Sequence, residues 1–432
     1  PAGGRGMSLA ILGLVFVLGL VIGMPVAITL GVSSLAYLLY QGMPLVVIPQ
    51  KMYAGMDSFV LLCIPGFILA GNLMNGGGIT HWIVRFCRQI LRPVNGGMGE
   101  VNVLASMLFG GISGSSVADT SALGSIEIPA MEKEGYPPGI AAGLTVATST
   151  MGMIIPPSTP MIVYAMISGG SVGGLFLAGA IPGVMIGITQ LVLIYTMSVR
   201  HGWHPQKTPF VWKNFWKDML FGIPALLMPV AIVLTISFGV ATASESAAVA
   251  VFYALAVGFL VYRQLTWKLV WQALQKTLIA SSAVMLIIGF SYVFTYIITI
   301  EKVPQVIQSF FFSLDMPKWA VMLIFDILIL FIGTFIDVSP GILLLTPILL
   351  PVMQSYGVSV LQFGAMVIAG MAIGLVTPPV GMCLNACNKI NRMPVMDIFR
   401  SASPFIVCNV LVLIVISLWE PFTTWLPGVF GF

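Results

Sequence analysis

Five acidic side chains, Asp119, Glu127, Glu245, Asp326 and Asp337, stand in long apolar stretches where an ionised carboxylate is expensive and needs a reason. Two of them sit beside glycines and hydroxyls. Asp119 lies in Gly110-Gly-Ile-Ser-Gly-Ser-Ser-Val-Ala-Asp-Thr-Ser-Ala-Leu-Gly-Ser-Ile-Glu-Ile-Pro129, where Ser113, Ser115, Ser116, Thr120, Ser121 and Ser125 crowd their hydroxyls around one carboxylate. Asp337 lies in Gly333-Thr-Phe-Ile-Asp-Val-Ser-Pro340. A small hard cation takes oxygen ligands, and hydroxyls, carboxylates and carbonyls freed at broken helices supply them. Glu245, in Ala241-Thr-Ala-Ser-Glu-Ser-Ala-Ala248, reads equally as a helix N-terminal carboxylate or a site residue. Glu127 and Asp326 read as a local cap or pair and as a residue facing a neighbouring helix.

The elements that must position these residues come in two copies. Pro129 is followed 27 residues on by Pro156-Pro157, and Pro351 is followed 27 residues on by Pro378-Pro379. The same offset of 222 residues carries Gly111 to Gly333, Gly152 to Gly374 and Ser115 to Asp337. Polar, glycine-rich backbone at membrane depth is tolerated only where protein or a wet cavity surrounds it. Each copy therefore reads as a re-entrant hairpin followed by a span broken at paired prolines, the pattern that points to a secondary transporter with its site at the repeat interface. Ile154-Ile-Pro-Pro-Ser-Thr-Pro160 frees carbonyls and offers Ser158 and Thr159, and Gly374-Leu-Val-Thr-Pro-Pro379 does the same with Thr377. The half-helix restarting after the prolines presents unpaired N–H groups to an anion.

Composition sets the class. With 58% hydrophobic and 7% charged residues in 432, the chain is an all-α polytopic membrane protein. The net charge of +4 is spread over juxtamembrane segments and carries topology information rather than a nucleic-acid footprint. Five scattered cysteines without CxxC spacing argue against a disulfide framework and a zinc site. Gly111-Ile-Ser-Gly114 matches the GxSG pattern of intramembrane serine proteases, yet His81, His201 and His204 fall at span ends or in the connecting segment, out of reach of Ser113.

Along the chain, residues 1–98 read as first-repeat scaffold helices, with the apolar start at Met7 belonging to a first span, and 99–198 as the first hairpin and broken helix. Residues 199–218 form a cytoplasmic connection, 219–318 the second-repeat scaffold, 319–400 the second hairpin and broken helix, and 401–432 a last span. Within these, Arg263 to Lys276 reads as a separate interfacial helix ahead of a span from Leu278 to Ile300, and the last span as Pro404 to Trp425. Arg85, Arg88 and Arg92 recur at helical spacing before the first hairpin, whereas 303–314 carries no lysine or arginine. By the positive-inside rule the first hairpin enters from the cytoplasm and the second from outside, so the repeats are inverted and both termini lie outside.

The runs GGISGSSVADTSALGSIEIPAMEKEGYPP, IIPPSTP, FIDVSPGILLLTPILLP and GLVTPPVGMCLN resemble the large membrane subunit of tripartite ATP-independent periplasmic (TRAP) transporters, from Met7 onward. The resemblance implies an elevator fold of the ion-transporter-superfamily kind in the bacterial inner membrane, a small four-helix membrane subunit, a periplasmic substrate-binding protein and sodium ions as the coupling species. It also implies one sodium site from Ser113, Ser115, Ser116 and Asp119 with the Gly152 to Pro156 break, and a second from Gly333, Asp337 and the Val338 carbonyl with Gly374 and Thr377. Where relatives read Thr-Pro-Thr-Glu-Ala, this chain has Thr242-Ala-Ser-Glu-Ser246.

The expected function is sodium-coupled import of a small organic acid, of the sialic acid or C4-dicarboxylate class, with its carboxylate near Ser115, Ser158 and Thr159. A stand-alone sodium/carboxylate transporter, a channel and a protease are the alternatives.

Overall fold

Every regular element among the described residues of this computed structural model, 2–91, 97–203 and 212–432, is helical. The first half runs α1 (Ala2–Val21), α2 (Val26–Tyr40), α3 (Val47–Met56), α4 (Cys63–Gly76), α5 (Ile79–Leu91), α6 (Met98–Ser113), α7 (Ser116–Lys133), α8 (Pro138–Thr148), α9 (Met151–Ile154), α10 (Thr159–Ser168) and α11 (Val172–His201). The second runs α12 (Trp212–Ser237), α13 (Ala243–Ala256), α14 (Trp267–Ile300), α15 (Val303–Ser313), α16 (Lys318–Gly333), α17 (Val338–Ser355), α18 (Val360–Gly374), α19 (Met382–Asn391), α20 (Val395–Leu418) and α21 (Pro421–Val429). Seven of the described helices are long and apolar enough to cross a membrane, and the pair Pro138–Ile154 and Thr159–Ser168, bent by 42°, makes an eighth.

The repeat seen in the sequence is a repeat of structure. α7 and α17 begin and end 222 residues apart, and both are preceded by a short tip and a first hairpin arm, α6 or α16. The paired prolines interrupt both spans where expected, between α9 and α10 and between α18 and α19, and the bonds Pro156–Pro157 and Pro378–Pro379 are cis.

Burial shows where the core sits. Every residue from Ala141 to Thr148 in α8 and from Gln362 to Gly374 in α18 is buried, as befits helices apolar on all sides and wrapped by protein. Around them pack the hairpins, α11 and α20. A second group, α2, α3, α4, α13 and α14, packs mutually and meets the first chiefly through α4 on α6 and α14 on α17. α5 behaves as an interfacial helix, burying Ile79, Ile83, Val84 and Cys87, leaving Arg88 outward and Arg85 half-buried. Arg85 Nε meets the fully buried Asp218 carboxylate at 2.7 Å, and Trp82 stacks on Phe221 at 4.6 Å, so α5 is tied to α12. Arg92 and residues 204–211 of the connecting segment, with His204 and Lys207, lie outside the described residues.

Two elements differ from expectation. α14 is one 34-residue helix, with no separate interfacial helix before Leu278. Thr266 caps its start, accepting from Leu269 N, and no proline or glycine intervenes before Gly289, so the basic residues ride on an unbroken helix. α20 starts at Val395, not Pro404, and ends at Leu418. Pro404 sits inside it because the Arg400 carbonyl, which loses its N–H partner, accepts instead from the Ser403 hydroxyl at 2.8 Å.

Candidate functional site

The first hairpin turns on Gly114, whose φ of +61° is left-handed and suits a residue without a β-carbon. Ser115 then caps α7, its hydroxyl accepting from Ala118 N at 3.5 Å. Ser113 donates to Asp119 Oδ1 and also receives the Ser115 N–H at 3.2 Å, which knits the tip around the carboxylate. Asp119 and Ser116 are buried, and Asp119 Oδ2 and Ser116 Oγ find no hydrogen-bond partner among the described residues. An orphaned carboxylate oxygen in a dry site is costly, which makes this pair a candidate for an oxygen-seeking ligand.

The broken span closes on this tip. A β-carbon on Gly110 would stand 3.0 Å from Gly152 Cα, one on Gly111 2.8 Å from the Pro156 carbonyl oxygen, and one on Gly114 3.3 Å from Thr159 N. A β-carbon on Gly152 would overlap Asp119 Oδ2 itself. Glycine at these positions thus lets two backbones and a carboxylate share one small volume, with carbonyls freed before the prolines alongside. Among the described residues no group of three or more His, Cys, Asp and Glu converges, which leaves hard oxygen chemistry with hydroxyls and carbonyls as what the tip offers.

In the second copy Asp337 takes the place of Ser115 and the same job: its Oδ1 accepts from Val338 N at 2.7 Å and caps α17. Unlike Asp119 it is exposed. Gly333 and Gly374 are in backbone contact, a β-carbon on the former lying 3.1 Å from Gly374 Cα. Val380 N donates to the Thr334 carbonyl at 3.3 Å, tying tip to break. Thr377 spends its proton on the Ile373 carbonyl at 2.9 Å, leaving its lone pairs free to accept or coordinate.

The two copies are interleaved. α7 packs along α19 and α10 along α17, so the second arm of each hairpin rests on the restarting half-helix of the other repeat, and α9 packs on α18. Buried Cys383, at the start of α19, lies within electrostatic reach of both Asp119 and Asp337 and beside Thr120 and Ser149. Cys383 is thus near both acids, buried Asp119 and exposed Asp337, which come from opposite repeats.

Of the residues expected to meet a substrate, Ser115 and Thr159 lie at the tip, whereas Ser158 is buried and its hydroxyl donates to the Met153 carbonyl at 2.6 Å. Ser158 can accept there but has no proton to give. Glu245 forms a capping box, accepting from Thr242 N at 2.8 Å on the exposed start of α13. Glu127 is buried and accepts from Asn102 Nδ2 at 2.7 Å, and Asn102 continues to Thr145 at 2.8 Å and Thr148 at 3.0 Å. Asp326 is buried facing the Ser417 hydroxyl of α20. Ser113 points at Asp119, while His81 and His201 are exposed, so no Ser–His pair forms among the described residues. Gly110, Cys383 and the Asn102 network are the additions that the sequence reading lacked. Their signal was weak: the offset pairs Gly111, not Gly110, with Gly333, and Asn102 sits in an ordinary apolar run.

A family model described as "Tripartite ATP-independent periplasmic transporter, DctM component" matches residues 12–422. The chain is 36% identical over 409 residues to the sialic acid TRAP transporter large permease protein SiaM of Vibrio cholerae, covering 94% of this chain and 96% of that one. It is 33% identical over 388 residues to the C4-dicarboxylate TRAP transporter large permease protein DctM of Pseudomonas aeruginosa, covering 88% and 89%. Among solved structures, the YdaH transporter of Alcanivorax borkumensis superposes with a TM-score of 0.64 at 14% identity, covering 95% of this chain and 98% of that one, which speaks to fold alone.

Proposed function

We propose, because this chain belongs to the family of DctM components of tripartite ATP-independent periplasmic transporters, that it imports a small organic acid together with sodium ions by an elevator movement of the hairpin-bearing helices. As a member of that family it is a multi-pass bacterial inner-membrane transport protein and not an enzyme. A large permease implies a small membrane subunit, and the family's periplasmic component implies a binding protein that delivers substrate.

One observation carries the sodium reading: buried Asp119 Oδ2, without a partner among the described residues, lies against Gly152 at the break, with the equally unpartnered Ser116 Oγ three residues before it in the chain. A monovalent cation with oxygen ligands completes that shell. Asp337 with the Gly333–Gly374 crossing and Thr377 would hold a second ion. Charge balance points the same way. No lysine or arginine lies in either tip or break, so an anionic substrate entering beside two carboxylates needs cations to travel with it. Ser115, Thr159 and the N–H groups opening α10 would hold the substrate carboxylate.

The relatives' substrates, sialic acid and C4-dicarboxylates, set the panel to test. Uptake into proteoliposomes containing the chain, its small subunit and the cognate binding protein should require an inward sodium gradient and saturate with one acid of that panel. Uptake indifferent to sodium would overturn the coupling, and undiminished uptake without binding protein would overturn the tripartite assembly.

A further inference from the structure

Away from the hairpins, α4 and α14 leave a half-open notch of ≈ 270 Å³ lined by Asn72, Asn75, Leu269, Gln272 and Lys276. Its polar atoms are mostly donors. Asn72 gives one amide proton to Thr277 Oγ1 at 3.1 Å, Asn75 accepts from Thr80 Oγ1 at 2.8 Å, and the exposed side chains of Lys276 and Gln272 make no hydrogen bond or ion pair among the described residues. An ammonium flanked by three amides is built for an oxyanion.

The notch lies at the end of α14 that the positive-inside rule puts on the cytoplasmic side, within three turns of the helix start. Trp267 and Trp271, 78% and 63% exposed, mark the same level on that helix, where exposed aromatic rings suit a headgroup belt. About one turn deeper, Ile279 is 72% exposed beside Lys276. An isoleucine so exposed suits acyl chains rather than an aqueous vestibule. The polar lining is not a demand of the fold either. The 222-residue repeat pairs Asn72 with Phe294, Asn75 with Ile297 and Lys276 with Ala54, all three apolar, and Gln272 with Gln50. The cation and two of the three amides are thus present at one end of the inverted repeat only, which ties them to that leaflet.

We propose that this notch binds the phosphate of an anionic phospholipid of the cytoplasmic leaflet, Lys276 meeting the charge and Asn72, Asn75 and Gln272 the remaining oxygens. Such a lipid would pin the α4–α14 pair at headgroup depth.

Native mass spectrometry of the full chain, purified from bacterial membranes in mild detergent and offered phosphatidylglycerol, phosphatidylcholine or inorganic phosphate, tests it. One phosphatidylglycerol should be retained per chain in preference to phosphatidylcholine. Lys276→Ala should weaken retention about fivefold, and Gln272→Leu, an exposed change that keeps Lys276, should also weaken it. Lys268→Ala, on the same helix outside the notch, should leave it unchanged. The proposal falls if Lys268→Ala acts as strongly as Lys276→Ala, if neither notch variant alters retention, or if inorganic phosphate or an organic acid displaces the lipid at equal concentration.

Discussion

Gly152 packs so closely against Asp119 that a methyl group on the glycine would occupy the place of carboxylate Oδ2, the oxygen left without a partner among the described residues. The obstacle is the end of a side chain, which can swing aside, so Gly152→Ala should fold while disordering the oxygen shell. In sodium titrations of uptake the half-saturating concentration should rise at least about tenfold, equivalent to about 1.4 kcal/mol, with little change in melting temperature. An unaltered sodium requirement would remove Asp119 from the coupling machinery.

Gly374 makes the opposite case. A β-carbon there would overlap the backbone of Gly333, which cannot swing aside, so Gly374→Ala should act on folding first. Overpacking of this kind costs about 1–3 kcal/mol. Thermal unfolding in detergent should show a clearly lowered midpoint and reduced yield, in contrast to Gly152→Ala.

Asp337 both carries charge and caps α17. Asparagine caps helices about as well as aspartate. Asp337→Asn should therefore keep the melting temperature and lose sodium-dependent uptake. If uptake survives, the residue is a cap and nothing more.

Glu245 supplies an internal control. Its carboxylate serves the capping box with Thr242, so Glu245→Ala should lower the melting temperature slightly. Sodium half-saturation and substrate preference should not move. A shift in either would return this residue to the functional site.

The hairpins were legible in the sequence because hydroxyls, glycines and acids are conspicuous in an oily chain, and because a fixed offset repeats the prolines that break the spans. Gly333 and Gly374 could be grouped in advance only through the resemblance to the family, since the offset pairs them with Gly111 and Gly152. α14 was misread because Lys268 and Lys276 resemble an interfacial segment, although nothing between them stops a helix. A proline in sequence reads as a boundary for α20, whereas the Ser403 bond that rescues the Arg400 carbonyl and lets the helix run through Pro404 is visible only in three dimensions. Cys383 beside both acids, and Gly110 against Gly152, depend on how separate segments cross, which spacing along one chain does not encode.

Because the second arm of each hairpin rests on the half-helix of the other repeat, neither proposed ion pocket has all its walls until residues on both sides of the central connection are in the bilayer. During synthesis the amino-terminal hairpin must wait, its bed along α19 still unmade, for more than two hundred further residues to be translated and inserted. A ribosome stalled midway would leave a segment that holds helices but cannot hold an ion, and severing the chain between α11 and α12 should restore both pockets only when the two fragments are made together.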